Sequence, residues 1–128
     1  MDIQAKTNCV NINFNQNNNL PALNEKTLQE IGVKSKPVLL KKSVIARNLE
    51  RHPDVEMAEY NYLLGQALYN NPSFFPGLKD AYINLVTQID IGKSALVLIE
   101  VSDKKDCFEI VHLMKINDRN LRRMKKRS

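Results

Sequence analysis

The chain of 128 residues has no tryptophan, only four glycines and only two cysteines. Each shortage removes a class of chemistry. So few glycines supply no Gly-rich phosphate loop and no nucleophile elbow. Cys9 and Cys107 lie far apart and match no metal spacing, so two reduced thiols are expected. The two histidines, His52 and His112, complete no zinc-spaced set with them. No cofactor and no metal is expected. No apolar run is long enough to span a bilayer. The N-terminal residues Met1 to Asn8 lack the apolar core of a signal peptide. A cytoplasmic location and no membrane partner are therefore expected, with export by an unrecognised route left open.

What remains is a basic chain. Hydrophobic residues at 43% and charged residues at 26% are the balance of a soluble globular domain, and the length suits one domain over 1–128. Net charge is +5 and the isoelectric point about 9.3, which favours anionic partners. Part of that excess is local. Arg119, Arg122, Arg123, Lys125, Lys126 and Arg127 crowd the C-terminus, and without them the chain is near neutral. Such a tail can grip phosphate backbone without reading sequence, or simply be a solvated helix.

Periodicity orders the elements. Residues 9–14 alternate as a half-buried strand, with Val10, Ile12 and Phe14 on one side. Asn15 to Asn19 form a polar loop. Asn24 caps a short helix through Ile31, stopped by Gly32. Pro37 to Leu40 read as extended. Ser43 caps a helix over 44–51 with Val44, Ile45 and Leu49 on one side. His52-Pro53-Asp54 breaks it and starts a second helix over 54–69. Phe74 to Gly77 read as an aromatic loop. Strands over 80–89, 94–101 and 107–116 form a meander, the middle one central, and Asp118 caps a basic final helix. Helices segregated from strands indicate an α+β fold.

Residues 38–53 are the most informative stretch. They set His52 among Lys41, Lys42, Arg47 and Arg51. Metal-free cleavage of RNA uses the substrate's own 2′-hydroxyl as nucleophile. It needs a base near neutral pKa, an acid for the 5′-oxygen, and cations around the phosphorane. Histidine, with an ordinary pKa of about 6.5, suits both proton transfers. The ordinary alternative for His52 is a group serving the backbone at a helix junction. For His112, alternating with Phe108, Ile110, Met114 and Ile116, it is a core histidine. Glu100 and Glu109 flank the 102–106 turn on adjacent strands. If paired, they either perturb each other's titration or are surface carboxylates bound to lysines, the commoner outcome. Tyr60, Tyr62, Tyr69, Phe74 and Phe75 could stack bases, though tyrosines at helical spacing are more often core.

The stretch from Val38 to Pro53, with Leu98-Ile99-Glu100-Val101 and Phe108-Glu109-Ile110-Val111-His112, resembles the phage-associated nuclease-like domains grouped with barnase, EndoU, colicin and RelE ribonucleases. Those domains often end phage MuF-type proteins. The resemblance covers roughly residues 33–116. It implies helices packed on one face of an antiparallel sheet meander, and a metal-independent ribonuclease site on the sheet. By position it carries over His52, His112 and the cations near Ser43. The N-terminal strand and helix over 1–32, and the basic tail over 117–128, lie outside it.

The favoured expectation is a small endoribonuclease-like domain, a toxin or phage-linked effector. His52, His112, Glu100 and Glu109 are its catalytic candidates. Lys41, Lys42, Ser43, Arg47 and Arg51 would bind substrate. RNA is the expected substrate, and an immunity or antitoxin protein a further partner. The alternatives are a non-catalytic module binding nucleic acid or protein, and a structural phage or mobile-element protein that keeps only the fold. The deciding observation is whether the two histidines and at least two cations converge on one cleft.

Overall fold

A computed structural model describes residues 10–127. Its element order is β1 (Asn18–Leu20), α1 (Glu25–Ile31), β2 (Val38–Leu40), α2 (Lys42–Arg51), α3 (Met57–Tyr69), β3 (Ser73–Pro76), β4 (Tyr82–Asp90), β5 (Lys93–Glu100), β6 (Phe108–Asn117) and α4 (Asp118–Arg127). The six strands form one sheet in the order β1-β2-β6-β5-β4-β3. The expected α+β architecture of helices on a sheet is present, with the long strands as an antiparallel meander and β5 at its centre. One pairing, β2 against β6, is parallel.

The sheet has two unlike faces. Ala95, Val97 and Ile99 of β5 point into the main core with Tyr60, Leu63, Leu64, Ala67 and Leu68 of α3. Residues one step out of phase, Leu96 among them, point the opposite way, as the two-residue period of a strand requires. There Leu96, Val86 and Ile116 form a small second cluster under Leu121 and Met124 of α4. So α1 to α3 line the main core, while α4 lies over the other face.

Packing decides where α3 forms. Each large aliphatic side chain that α3 buries contributes roughly 1.5–3 kcal/mol. Its cap, in which the Glu56 N–H donates to the Glu59 carboxylate at 3.2 Å, is worth about 1 kcal/mol.

Several local expectations need correction. Val10 and Ile12 are buried as their alternation implies, but they join no strand. The Ile12 N–H instead donates to the Asn61 side chain at 2.9 Å. Cys9, at the start of the expected strand, lies outside the described residues, as do residues 1–8. The first strand forms within the polar run, at Asn18–Leu20, because β2 offers an edge to pair with. Phe74 and Phe75 belong to β3, an edge strand on β4, and not to a loop. The helix α2 starts at Lys42 with Lys41 at its cap, so Ser43 caps nothing. The next helix begins three residues later than expected, at Met57, since His52 to Val55 form a turn closed by Val55 N–H to the His52 carbonyl. At α4 the cap is Asn117, whose Oδ1 accepts the Asn120 N–H at 2.9 Å. The bounds expected for α1 hold: Asn24 precedes the helix, though its side chain makes no cap bond, and Gly32 ends it at a φ of 84°. Yet the Asn24 side chain donates to the Tyr69 carbonyl, tying α1 to the end of α3.

Candidate functional site

The site is made by an irregularity in β6. Leu98 of β5 pairs with His112, while Ile99 pairs with Ile110, so Val111 is an extra residue, a β-bulge. Up to the bulge Phe108 and Ile110 enter the main core. Beyond it Leu113 does, and His112, Met114 and Ile116 turn to the other face. The single apolar face expected for 108–116 is thereby split, and His112 leaves the core.

The edge of β6 sets the second half. Strand β2 pairs with β6 only at Val38 and Leu39, and the chain then turns into α2, which runs on along that edge. Val44 and Ile45 enter the core. Asn48, 3% exposed, faces β6. Its Oδ1 accepts the Leu113 N–H at 2.7 Å and its Nδ2 donates to the Leu113 carbonyl. The side-chain amide thus replaces a neighbouring strand for one residue. Arg51 and His52 follow Asn48 by three and four residues and Arg47 precedes Arg51 by four, so these side chains cluster at the end of α2 beside β6.

The result is a cavity of about 210 Å³ lined by Arg47, Asn48, Arg51, His52, Val111 and His112. The imidazoles of His52 and His112 meet edge to face, with ring centroids 5.8 Å apart and planes at 64°. Burial lowers the pKa of His112 below the ordinary 6.5, and the positive charges of His52 and Arg47 lower it further. A half-buried imidazole held neutral is an acceptor of protons. The exposed guanidinium groups of Arg47 and Arg51 remain available to an anion.

The other candidates stand apart. Glu100 and Glu109 are direct cross-strand partners, as expected if their strands pair. Lys105 bridges them at 2.8 and 3.1 Å, and Lys41 binds Glu109 at 2.9 Å. Hydrogen bonds from Lys41 and then Lys105 hold the Glu109 carboxyl below its usual range. Lys41 is therefore engaged with a carboxylate. Lys42 and Ser43 begin α2, roughly 14 Å along its axis from His52 at 1.5 Å per residue. Of the aromatic candidates, Tyr60 and Tyr69 are buried, and Tyr62 is exposed on α3. Among the described residues, no three His, Cys, Asp or Glu side chains are grouped to hold a metal ion. Cys107 is a free thiol. No helix among the described residues is long and apolar enough to cross a membrane.

Sequence reasoning missed Asn48 and the bulge. A signal for Asn48 was present: it sits at i+4 from Val44, a polar residue on an apolar stripe.

A family model described as large polyvalent protein-associated domain 13 matches residues 2–128. The chain belongs to this family. It is thus a phage-associated polyvalent protein domain, a description that names a setting and no reaction. No curated protein and no solved structure matches the chain significantly.

The lowered pKa of His112 has a consequence for this domain's stability. On acidification the unfolded chain takes up the proton near pH 6.5, before the native state does. Stability present above that pH is therefore lost as pH falls through the native pKa. Chemical denaturation at pH 7.5 and pH 5 is expected to show lower stability at the acid end, and a smaller loss in His112→Phe. In the native protein, Arg47→Ala should move the His112 NMR titration upward. An unmoved titration would show that Arg47 does not sense the imidazole.

Proposed function

We propose that this domain is a metal-independent endoribonuclease-like unit cleaving RNA by acid–base transesterification. The observation that carries the reading is the His52–His112 contact inside a cavity walled by Arg47 and Arg51. His112, held neutral, takes the proton of the 2′-hydroxyl. The 2′-oxygen attacks phosphorus and the bond to the 5′-oxygen breaks. His52, protonated, donates its proton to that leaving oxygen. The products are a 2′,3′-cyclic phosphate and a free 5′-hydroxyl. Arg47 and Arg51 offset the charge that builds on the phosphorane oxygens. Glu100 and Glu109 take no proton in this scheme. Their oxygens accept from Lys105 and Lys41, and the Glu109 carboxyl, held below its usual range by those lysines, is a weak base. The resemblance to the barnase, EndoU, colicin and RelE group supports the same class of reaction. As a toxin or phage-linked effector, the domain would need an inhibitory immunity or antitoxin protein wherever it is made.

The test is incubation of the purified protein with end-labelled RNA in excess chelator. Cleavage leaving cyclic phosphate ends, undiminished by chelator, is expected. Activity that vanished with chelator and returned with magnesium would contradict the mechanism and redirect attention to Glu100 and Glu109. Binding without cleavage would favour a non-catalytic nucleic-acid module, a reading that the cationic α4 also supports.

A further inference from the structure

A larger groove, of about 820 Å³, lies on the α4 side of the sheet. Its floor is apolar: Leu96 and Leu98 of β5, with Met114 and Ile116 of β6. One wall is the side of α4 that carries Arg123, Lys126 and Arg127. At the far rim Lys79 stands over the Tyr82 ring, 5.7 Å from its centre. Gly77 lets that rim close. A Cβ there would lie 2.8 Å from Tyr82, too near for any other residue without a shift. Val111 and His112 line both this groove and the histidine cavity, so the two are continuous.

We propose that this groove holds the unpaired RNA strand leading away from the phosphate at His52 and His112, which makes single-stranded RNA the substrate class. The inference rests on the acid–base reading of that pair. An unpaired strand offers two chemistries along its length: apolar base faces, and one negative charge per nucleotide. The groove offers both complements, an apolar floor with one aromatic ring and a row of cations on α4. A duplex stacks its bases on each other and leaves such a floor unused. An acidic polypeptide would meet the cations but would place its charged side chains against the same apolar floor, where burial costs free energy.

The test measures binding apart from cleavage. A fluorescent 2′-O-methyl RNA lacks the nucleophile and stays intact. Its anisotropy is followed with the full chain, as a single strand and as a blunt duplex of the same sequence. The single strand is expected to bind at least 10-fold tighter. Tyr82→Ala should weaken it by roughly 5- to 100-fold, the loss of one stacked base. Leu98→Glu, at a half-exposed floor position, should weaken it by at least 10-fold while circular dichroism stays native. Arg123→Ala with Lys126→Ala should lower the slope of log affinity against log salt by roughly 1.4 if both meet phosphate. Equal affinity for strand and duplex would overturn the proposal. So would binding indifferent to both Leu98→Glu and Tyr82→Ala, or equally effective displacement by polyglutamate, which would mark α4 as the dock of an acidic protein. Groove-dependent binding of the strand, with no cleavage of unmodified RNA, would keep the groove and remove the acid–base reading.

Discussion

Replacing His112 or His52 by alanine is expected to slow the chemical step, measured at saturating RNA, by roughly 10²- to 10⁴-fold, the usual worth of a positioned acid or base. The two substitutions should not add. Their rings are in contact across one small cavity, so in the proposed scheme both proton transfers would serve one phosphate. Removing either partner should cost nearly as much as removing both, as in other sites whose groups act as a unit. KM should change less than turnover, because Arg47, Arg51 and the α4 cations still hold the anion. His52 is the cleaner test of the two. It caps the end of α2, whereas His112, equally half-buried, lies within β6, where its loss also alters the packing of the strand. His112→Asn, which keeps a polar group of moderate size, separates the two effects. Wild-type turnover in His52→Ala would take the pair out of the chemistry altogether.

The second large effect is on stability. Asn48→Ala is expected to cost about 2–4 kcal/mol, because it strands both the N–H and the carbonyl of Leu113 away from water. The loss should appear in chemical denaturation as a lower midpoint. Asn48→Asp is no remedy. It restores the acceptor for the N–H but sets a carboxylate against the carbonyl oxygen, and it buries a charge. A change in stability below about 0.5 kcal/mol would mean that water or a rearranged helix replaces both bonds. Since Leu113 follows His112, the substitution should also loosen the His112 imidazole and, on the proposed mechanism, lower turnover.

The sequence displays some of this and conceals the rest, for identifiable reasons. Strands β4, β5 and β6 are legible because long alternating or continuous apolar runs need no knowledge of partners. Helix α1 is legible because Asn24 and Gly32 mark its ends. Strand β1 is not legible: Asn18-Asn19-Leu20 is extended only because β2 is there to pair with. Val10 and Ile12 show the converse. Their alternation reports burial correctly and strand pairing wrongly, since period two needs only an extended chain. At the site, the presence of His52 among cations is plain in the sequence. Its meeting with His112 depends on the Val111 bulge. Regular alternation sends His112 into the core with Phe108 and Ile110; one extra residue returns it to the cavity. The cations divide for a similar reason. Lys41 and Arg47 look alike in sequence, but Lys41 faces Glu109 across the β2–β6 pairing and Arg47 faces open space.

The replacement of a neighbouring strand by Asn48 bears on how one copy of the domain meets another. Beyond its short pairing with β2, β6 is bordered by a helix, and a bare strand border is a template onto which a foreign strand can add. Here a single amide occupies the hydrogen-bonding groups of Leu113, with α2 laid alongside as a bulky guard. The residue that steadies β6 beside His112 thus also helps close its border, and a chain that lost Asn48 is expected to be more prone to strand-to-strand aggregation as well as less stable.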